Sequence, residues 1–220
     1  MVKRNAQAYF ASALVFPGGV VDPDDSSPDW LAHVSGAEGL DPRERARRIA
    51  AFRETFEEVG ILLGASQSTA AVQPAPGASS FLDLVNRSSV KLPLEALHRF
   101  GHWITPTFSP KRYDTHFFLC GLSTDQAAVC DGGETTTVEW IAPAEALARA
   151  ASGDRSILFP TRMNLIRLAE SQDVASAVAA AKSSTPFTVL PVVEKTERGI
   201  CVRIPTEAGY GVVEDWPTLG

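Results

Sequence analysis

The chain has 220 residues, of which 45% are hydrophobic, 21% charged and 8% aromatic, and Lys+Arg 20 against Asp+Glu 26 gives a formal net charge of −6. Such a chain has enough apolar material for a buried core, which excludes wholesale disorder, and its Gly 16, Pro 15 and Cys 3 exclude collagen-like and disulfide-scaffold classes. The acidic balance also weighs against sequence-independent nucleic-acid binding, which needs a field of Lys and Arg. No stretch approaches the roughly 20 apolar residues of a membrane span, and Met1-Val2-Lys3-Arg4-Asn5 lacks the apolar centre of a signal peptide, so a cytoplasmic protein is expected. Cys120, Cys130 and Cys201 have no ligand spacing and are expected to be buried free thiols.

In chain order, residues 8–16 run into the apolar Leu14-Val15-Phe16 and stop at Pro17-Gly18-Gly19, which predicts a strand ending in a glycine turn. Val20 to Leu40 is rich in Asp, Ser, Pro and Gly, a predicted surface loop anchored by Trp30. A helix follows: Asp41 suits the N-cap, Pro42 the first helical position, and Glu44 completes an Asp-x-x-Glu variant of the capping box. Ile49, Phe52, Phe56 and Val59 form its apolar face, and Gly60 stands where a terminating glycine belongs. Ile61-Leu62-Leu63 reads as a short buried strand and residues 64–80 as a low-complexity loop. Helices are predicted at 80–87 and 93–100, then strands at 101–105, 115–122 and 135–141. Helices at 143–151, 161–170 and 173–182 precede strands at 186–194 and 199–204. This interleaving lacks a regular βαβ rhythm and points to a mixed sheet with helices packed on it.

The informative window is Arg53-Glu54-Thr55-Phe56-Glu57-Glu58-Val59-Gly60-Ile61. On a helix, Glu54, Glu57 and Glu58 stand at i, i+3 and i+4, so three carboxylates share a face opposite Phe52, Phe56 and Val59. Arg53 can reach Glu57, its i+4 partner, while Glu54 and Glu58 are left to repel, and a hard divalent cation would supply the missing charge. A solvated acidic helix face with no site is the plain alternative.

That window resembles the second half of the Nudix box, Arg-Glu-U-x-Glu-Glu-x-Gly-U with U apolar, and Phe16-Pro17-Gly18-Gly19 resembles its opening. Thr55 departs at the first U. The usual box places its Arg 14 residues after the opening glycine, whereas Arg53 lies 34 residues after Gly19, so an insertion of 20 residues, placed at about 20–40, splits the box. Arg45 stands eight residues before Arg53, where the usual first glutamate would be counted. Such a split box is similar to the branch containing the peroxisomal coenzyme A diphosphatases and their bacterial relatives. Trp103-Ile104-Thr105-Pro106, Arg112-Tyr113-Asp114-Thr115-His116-Phe117-Phe118, Glu134 with Glu139-Trp140, Pro160-Thr161 and Asn164-Leu165 extend the likeness over residues 3–170.

The resemblance implies an α+β Nudix fold, a mixed β-sheet sandwiched by helices, with a Nudix domain over 1–170 and a helix and strand extension over 171–220. It implies a hydrolase that cleaves the diphosphate bond of coenzyme A, acyl-coenzyme A or a related nucleoside diphosphate linked to another moiety, with Mg²⁺ or Mn²⁺. Glu54, Glu57 and Glu58 are then the expected metal ligands, with the Gly18 carbonyl as a further one, and Arg53 orients a glutamate. The water-activating base is Glu54 or Glu134, the latter in the loop Asp131-Gly132-Gly133-Glu134. Lys3, Arg4, Lys111 and Arg112 are candidates for the substrate phosphates, each also readable as a surface charge. Arg43, Arg45, Arg47 and Arg48 read as a solvated helix face or an approach for a long anion. His33, His98, His102 and His116 share no ligand spacing and are assigned no chemistry.

The competing reading is a catalytically inactive Nudix-fold module that binds a nucleotide for regulation. The partner expected is a small-molecule diphosphate, with no nucleic acid and no membrane. Relatives begin with a complete strand before the segment equivalent to Val2-Lys3-Arg4, so either the start is late or the sheet lacks its first N-terminal strand, and an exposed edge would favour a homodimer. Thr218-Leu219-Gly220 is not a Ser-Lys-Leu-type peroxisomal address.

Overall fold

The strongest sequence signal builds the longest element. In the computed structural model, which describes residues 1–4, 13–63, 80–88, 90–107, 109–122, 126–130 and 135–216, helix α1 spans Pro42–Val59. The Asp41 carboxylate caps it, accepting from the N–H groups of Glu44 and Arg43 at 3.0 and 2.9 Å. Those bonds, the one from Glu44 foremost, hold the Asp41 carboxyl below its ordinary range. Gly60 ends the helix in the left-handed region at φ 68°, its N–H returning to the Phe56 carbonyl at 2.8 Å. Ile49, Phe52, Phe56 and Val59 are all buried, each adding about 1.5–3 kcal/mol by leaving water. Glu44 engages its own helix, accepting from Arg48 Nε at 3.0 Å.

The chain divides into two units, Met1–His98 with Cys120–Trp140, and Arg99–Leu119 with Ile141–Gly220. In the first, β1 (Val2–Arg4) runs antiparallel between β2 (Leu14–Val15) and β7 (Thr135–Val138), with Val2 opposite both Val15 and Val138. Both edges of β1 are therefore paired. Val2, Val59 and Ile61 form a core with Val15, Leu122 and Val138, which seats the end of α1 on this sheet. A parallel pair, β3 (Val34–Ser35) and β4 (Leu92–Pro93), and helix α2 (Phe81–Ser88) complete the unit.

Three expectations change here. Ile61-Leu62-Leu63 is buried but is not a strand: the Gln126 side chain satisfies Leu62 instead, accepting from its N–H and donating to its carbonyl, each at 3.1 Å. The predicted helix at 93–100 is a single 3-10 turn, Leu94–Ala96, followed by strand β5 (His98–Ile104). Leu94 and Leu97 are buried, and their carbonyls accept from Arg48 Nη1 at 2.6 and 2.8 Å, so they are bound without a helix. Arg48 is thus a structural clamp, not part of a solvated face. The Val20–Leu40 loop holds two 3-10 helices, Pro23–Ser26 and Pro28–Ala32, and Trp30 is buried, donating to the Asp24 carbonyl at 3.0 Å and packing 5.7 Å from the Phe81 ring.

In the second unit β5 lies between β6 (Asp114–Leu119) and β8 (Thr188–Val189), with β5 and β8 parallel. A separate antiparallel sheet has the order β11-β10-β9, with β9 at Val192–Thr196, β10 at Gly199–Arg203 and β11 at Glu214–Asp215. The predicted strand at 186–194 is two strands, β8 and β9, broken at Leu190-Pro191, where proline offers no N–H to a ladder. Helices α3 (Pro143–Ala151), α4 (Phe159–Ala169) and α5 (Val174–Ser183) fall close to where the sequence places them. Trp103, Met163, Val189, Ile204, Ala208 and Tyr210 form the core. Within it Trp103 Nε1 donates to the Tyr210 hydroxyl at 3.1 Å, and that hydroxyl donates to Asn164 Oδ1 at 3.0 Å. All three cysteines are free, Cys201 buried and Cys120 and Cys130 half-buried. Among the described residues no helix is long and apolar enough to cross a membrane.

Candidate active site

Helix α1 and the Pro17-Gly18-Gly19 turn close on each other in the first unit. The Gly18 N–H donates to Glu58 Oε2 at 3.0 Å, and Glu58, although a carboxylate, is buried. A Cβ placed on Gly19 would overlap the Glu54 carboxylate, so a residue with no side chain is required for that close approach. Glu57, one turn on from Glu54, has a half-exposed side chain. The three glutamates thus differ in exposure, Glu58 buried, Glu54 14% exposed at its side chain and Glu57 half-exposed.

Arg53 is the hub of the arrangement. Its Nη1 donates to Glu54 Oε1 at 2.8 Å and to Glu57 Oε2 at 3.0 Å, so the charge of Glu54 is also relieved, contrary to the i+4 expectation that only Glu57 would be. Its Nε and Nη2 grip the two oxygens of Asp25 at 3.0 and 2.9 Å, and Nη2 also donates to the Val20 carbonyl at 2.9 Å. Asp25 is 1% exposed and also accepts the Asp22 N–H at 2.8 Å within the first 3-10 turn. Burial alone would lower the Arg53 pKa, yet the hydrogen bond and charge of Asp25, then those of Glu54, drive it upward, and the guanidinium stays charged.

Asp25 is the residue that sequence reasoning missed. Counting back from Arg53 leads to Arg45; counting forward from Gly19 leads, six residues on, to Asp25, the place the usual spacing gives the first acid of the box. The signal was present on the glycine side of the insertion. Asp25, Glu54 and Glu57 surround the Arg53 guanidinium and Glu58 lies on the same helix, a group of hard oxygen donors of the kind a divalent cation takes.

Arg4 lies on β1 and its side chain is outside the described residues, as is the whole of Glu134. Lys111 and Arg112 belong to the second unit, in the connection between β5 and β6, where Arg112 Nε donates to the Thr105 carbonyl at 3.1 Å and Lys111 stands 5.2 Å from the Tyr113 ring centroid. In the same unit two histidines do converge: His102, Asp114 and His116 place potential ligand atoms within 4.8 Å of one another, a His/Asp cluster able to hold a metal ion. Linear spacing hid it, because the residues meet across two strands.

Comparison with known proteins bears on the family and the fold. The human acyl-coenzyme A diphosphatase NUDT19 is 30% identical over 64% of this chain and 52% of its own length. The Xenopus laevis protein of the same name is 27% identical over 96% of this chain and 70% of its own. The chain thus spans about half the length of the human relative. The crystal structure of a NUDIX hydrolase from Alicyclobacillus acidocaldarius superposes with a TM-score of 0.60 and 27% identity, covering 82% of this chain and 86% of that one, so the α+β arrangement of mixed sheets and helices is the Nudix fold. The NUDT19 Nudix domain family matches residues 34–168, from β3 to the end of α4. The chain belongs to the NUDT19 Nudix domain family of the Nudix hydrolase superfamily.

Proposed function

We propose that this protein is a divalent-cation-dependent diphosphatase acting on coenzyme A, acyl-coenzyme A or a related nucleoside diphosphate linked to another moiety. The observation that carries the reading is the closure of the glycine turn on the glutamate helix, with Arg53 holding Glu54 and Glu57 while Asp25 holds Arg53. The names of the vertebrate relatives support the substrate class.

In this reading Glu54, Glu57 and Glu58 are the ligands for Mg²⁺ or Mn²⁺, with the Gly18 carbonyl as a further oxygen. The bound cation would neutralise phosphate charge as water attacks phosphorus in line. The chain's own contribution is orientation. Arg53 fixes the rotamers of Glu54 and Glu57, and the Gly18 N–H fixes that of Glu58, so that the carboxylates need not reorganise when the ion and substrate arrive. Glu54 and Glu134 are the two candidates to take the proton of the attacking water.

The test is a panel of coenzyme A, acyl-coenzyme A, ADP-ribose, NADH and sugar nucleotides incubated with Mg²⁺ or Mn²⁺, following the release of two phosphomonoesters. Hydrolysis of a coenzyme A compound that is lost in the Glu57→Gln, Glu58→Gln double variant supports the reading. Failure to turn over any of them, or wild-type rates in that variant, rejects it. Glu54→Gln and Glu134→Gln, compared by the pH dependence of the residual rate, separate the two bases.

A further inference from the structure

We infer that His102, Asp114 and His116 form a second metal site, separate in its donor chemistry from the glutamate face and selective for a Zn²⁺-class transition ion. The Thr105 N–H donates to the Tyr113 carbonyl at 2.9 Å, which closes the β5–β6 hairpin, and carried along the strands this register puts His102 opposite His116. Asp114 and His116 are two apart on β6 and so point to the same face. The two imidazoles stack at 4.0 Å and 17°. Both Nε2 atoms address the same carboxylate oxygen, Asp114 Oδ1, at 2.5 Å from His102 and 3.3 Å from His116.

Two imidazoles and one carboxylate are the donor set of open, three-ligand zinc sites, and imidazole favours Zn²⁺, Ni²⁺, Co²⁺ or Cu²⁺ over Mg²⁺. Ligand bonds of about 2.0–2.2 Å in a tetrahedral site set neighbouring donors roughly 3.3–3.5 Å apart. The His116–Asp114 distance already meets that value, and the His102–Asp114 contact has to lengthen by about 1 Å, which the half-exposed Asp114 side chain allows by rotation. The imidazoles, at 8% and 18% exposed, are held more tightly and need only turn about their Cβ–Cγ bonds to bring the two lone pairs together. A supporting shell is in place: Thr188 Oγ1 lies 2.8 Å from His102 Nδ1, and in the tautomer whose Nδ1–H donates to that hydroxyl, Nε2 carries the lone pair for a metal. Beside the rings a cavity of about 200 Å³, lined also by Arg99, Phe117, Thr185 and Pro186, leaves room for water or a small anion at the open coordination position.

The test loads the whole protein with Co²⁺ as a spectroscopic stand-in and with Zn²⁺ in competition with a chromogenic chelator, on a Glu57→Gln, Glu58→Gln background that silences the acidic face. One equivalent of Co²⁺ with visible d–d bands is expected, displaced by Zn²⁺ and not by millimolar Mg²⁺. His102→Ala or His116→Ala should abolish it, and Thr188→Val should weaken it about 10-fold or more. In the wild-type protein Zn²⁺ should shift or broaden the imidazole resonances of His102 and His116 but not those of His33 and His98, a readout that needs no variant to fold. No bound equivalent on the Gln background, unchanged stoichiometry in both histidine variants, or unmoved His102 and His116 resonances would each overturn the site.

Discussion

Replacing Asp25 by Asn keeps the shape of the side chain and removes its charge, which tests whether the Asp25–Arg53 pair organises the glutamate face. Asp25 is 1% exposed and the Arg53 side chain 14%, so the pair lies out of water, and removal of one partner leaves the other charged in a place built for a carboxylate. Such losses cost about 3–5 kcal/mol. The low end, about 3 kcal/mol, applies here because Arg53 keeps Glu54, Glu57 and the Val20 carbonyl. For a chain of this size that lowers the melting temperature by roughly 6–12 °C. Freed from Asp25, the guanidinium can swing toward the glutamates, so Mn²⁺ affinity, read by isothermal calorimetry below the melting range, should fall at least tenfold, about 1.4 kcal/mol. A variant that melts within a degree of wild type and binds Mn²⁺ equally well would show that the pair is incidental and that the glutamates orient themselves.

The remaining predictions concern other parts of the same logic. Gly19→Ala pushes a methyl into the Glu54 carboxylate, so turnover and Mn²⁺ affinity should drop while the far-ultraviolet circular dichroism spectrum is kept; an active Gly19→Ala protein would mean that Glu54 is not held against the turn. Burial raises the Tyr210 pKa, with the Arg167 charge and the Trp103 hydrogen bond pulling it back, so its stabilisation is complete below the unfolded value of about 10 and is lost as pH climbs through the folded one. Tyr210→Phe should remove that alkaline decline from urea midpoints measured between pH 8 and 11, at a cost of about 1–3 kcal/mol for each buried partner, Trp103 Nε1 or Asn164 Oδ1, left unsatisfied. The Asp41 carboxyl is depressed by its capping bonds, so its contribution is present above the unfolded pKa of 3.8 and disappears as pH falls through the folded value. Asp41→Ala should lower the melting temperature at neutral pH and flatten the acid limb between pH 2 and 5.

What was legible in the sequence was whatever local rules decide. The cap, first proline, apolar face and terminating glycine of α1 depend on residues within a turn of one another, and α1 forms where they direct. Residues 93–100 read locally as a helix, yet the deciding partner, Arg48, is 46 residues from Leu94 and invisible to periodicity. Leu62 is likewise completed by an amide 64 residues away. The site was read on its helical half because Arg53, Glu54, Glu57 and Glu58 are contiguous, and misread on the other half because the partner of Arg53 lies across an insertion. The His102 and His116 pair became visible only with the strand register that brings 102 and 116 opposite each other.

The position of Asp25 also explains how a split box still closes. Spaced as in the usual box from Gly19, it places the extra residues between itself and Arg53, a separation of 28 residues instead of the usual eight. Lengthening a flexible connection by that ratio costs only about 1 kcal/mol of closure entropy. The buried pair at its ends is costly to break, about 3 kcal/mol on removal of one partner, because the other is left charged and unpaired. The intervening chain is not a slack loop either: Trp30 buries against Phe81, Asp22 and Ser27 cap the two 3-10 turns, and Arg48 ties the first half of α1 to the Leu94–Leu97 segment. Packing of the insertion then holds Asp25 and Arg53 in register, and the glutamate face inherits its geometry from contacts that begin on both sides of the break.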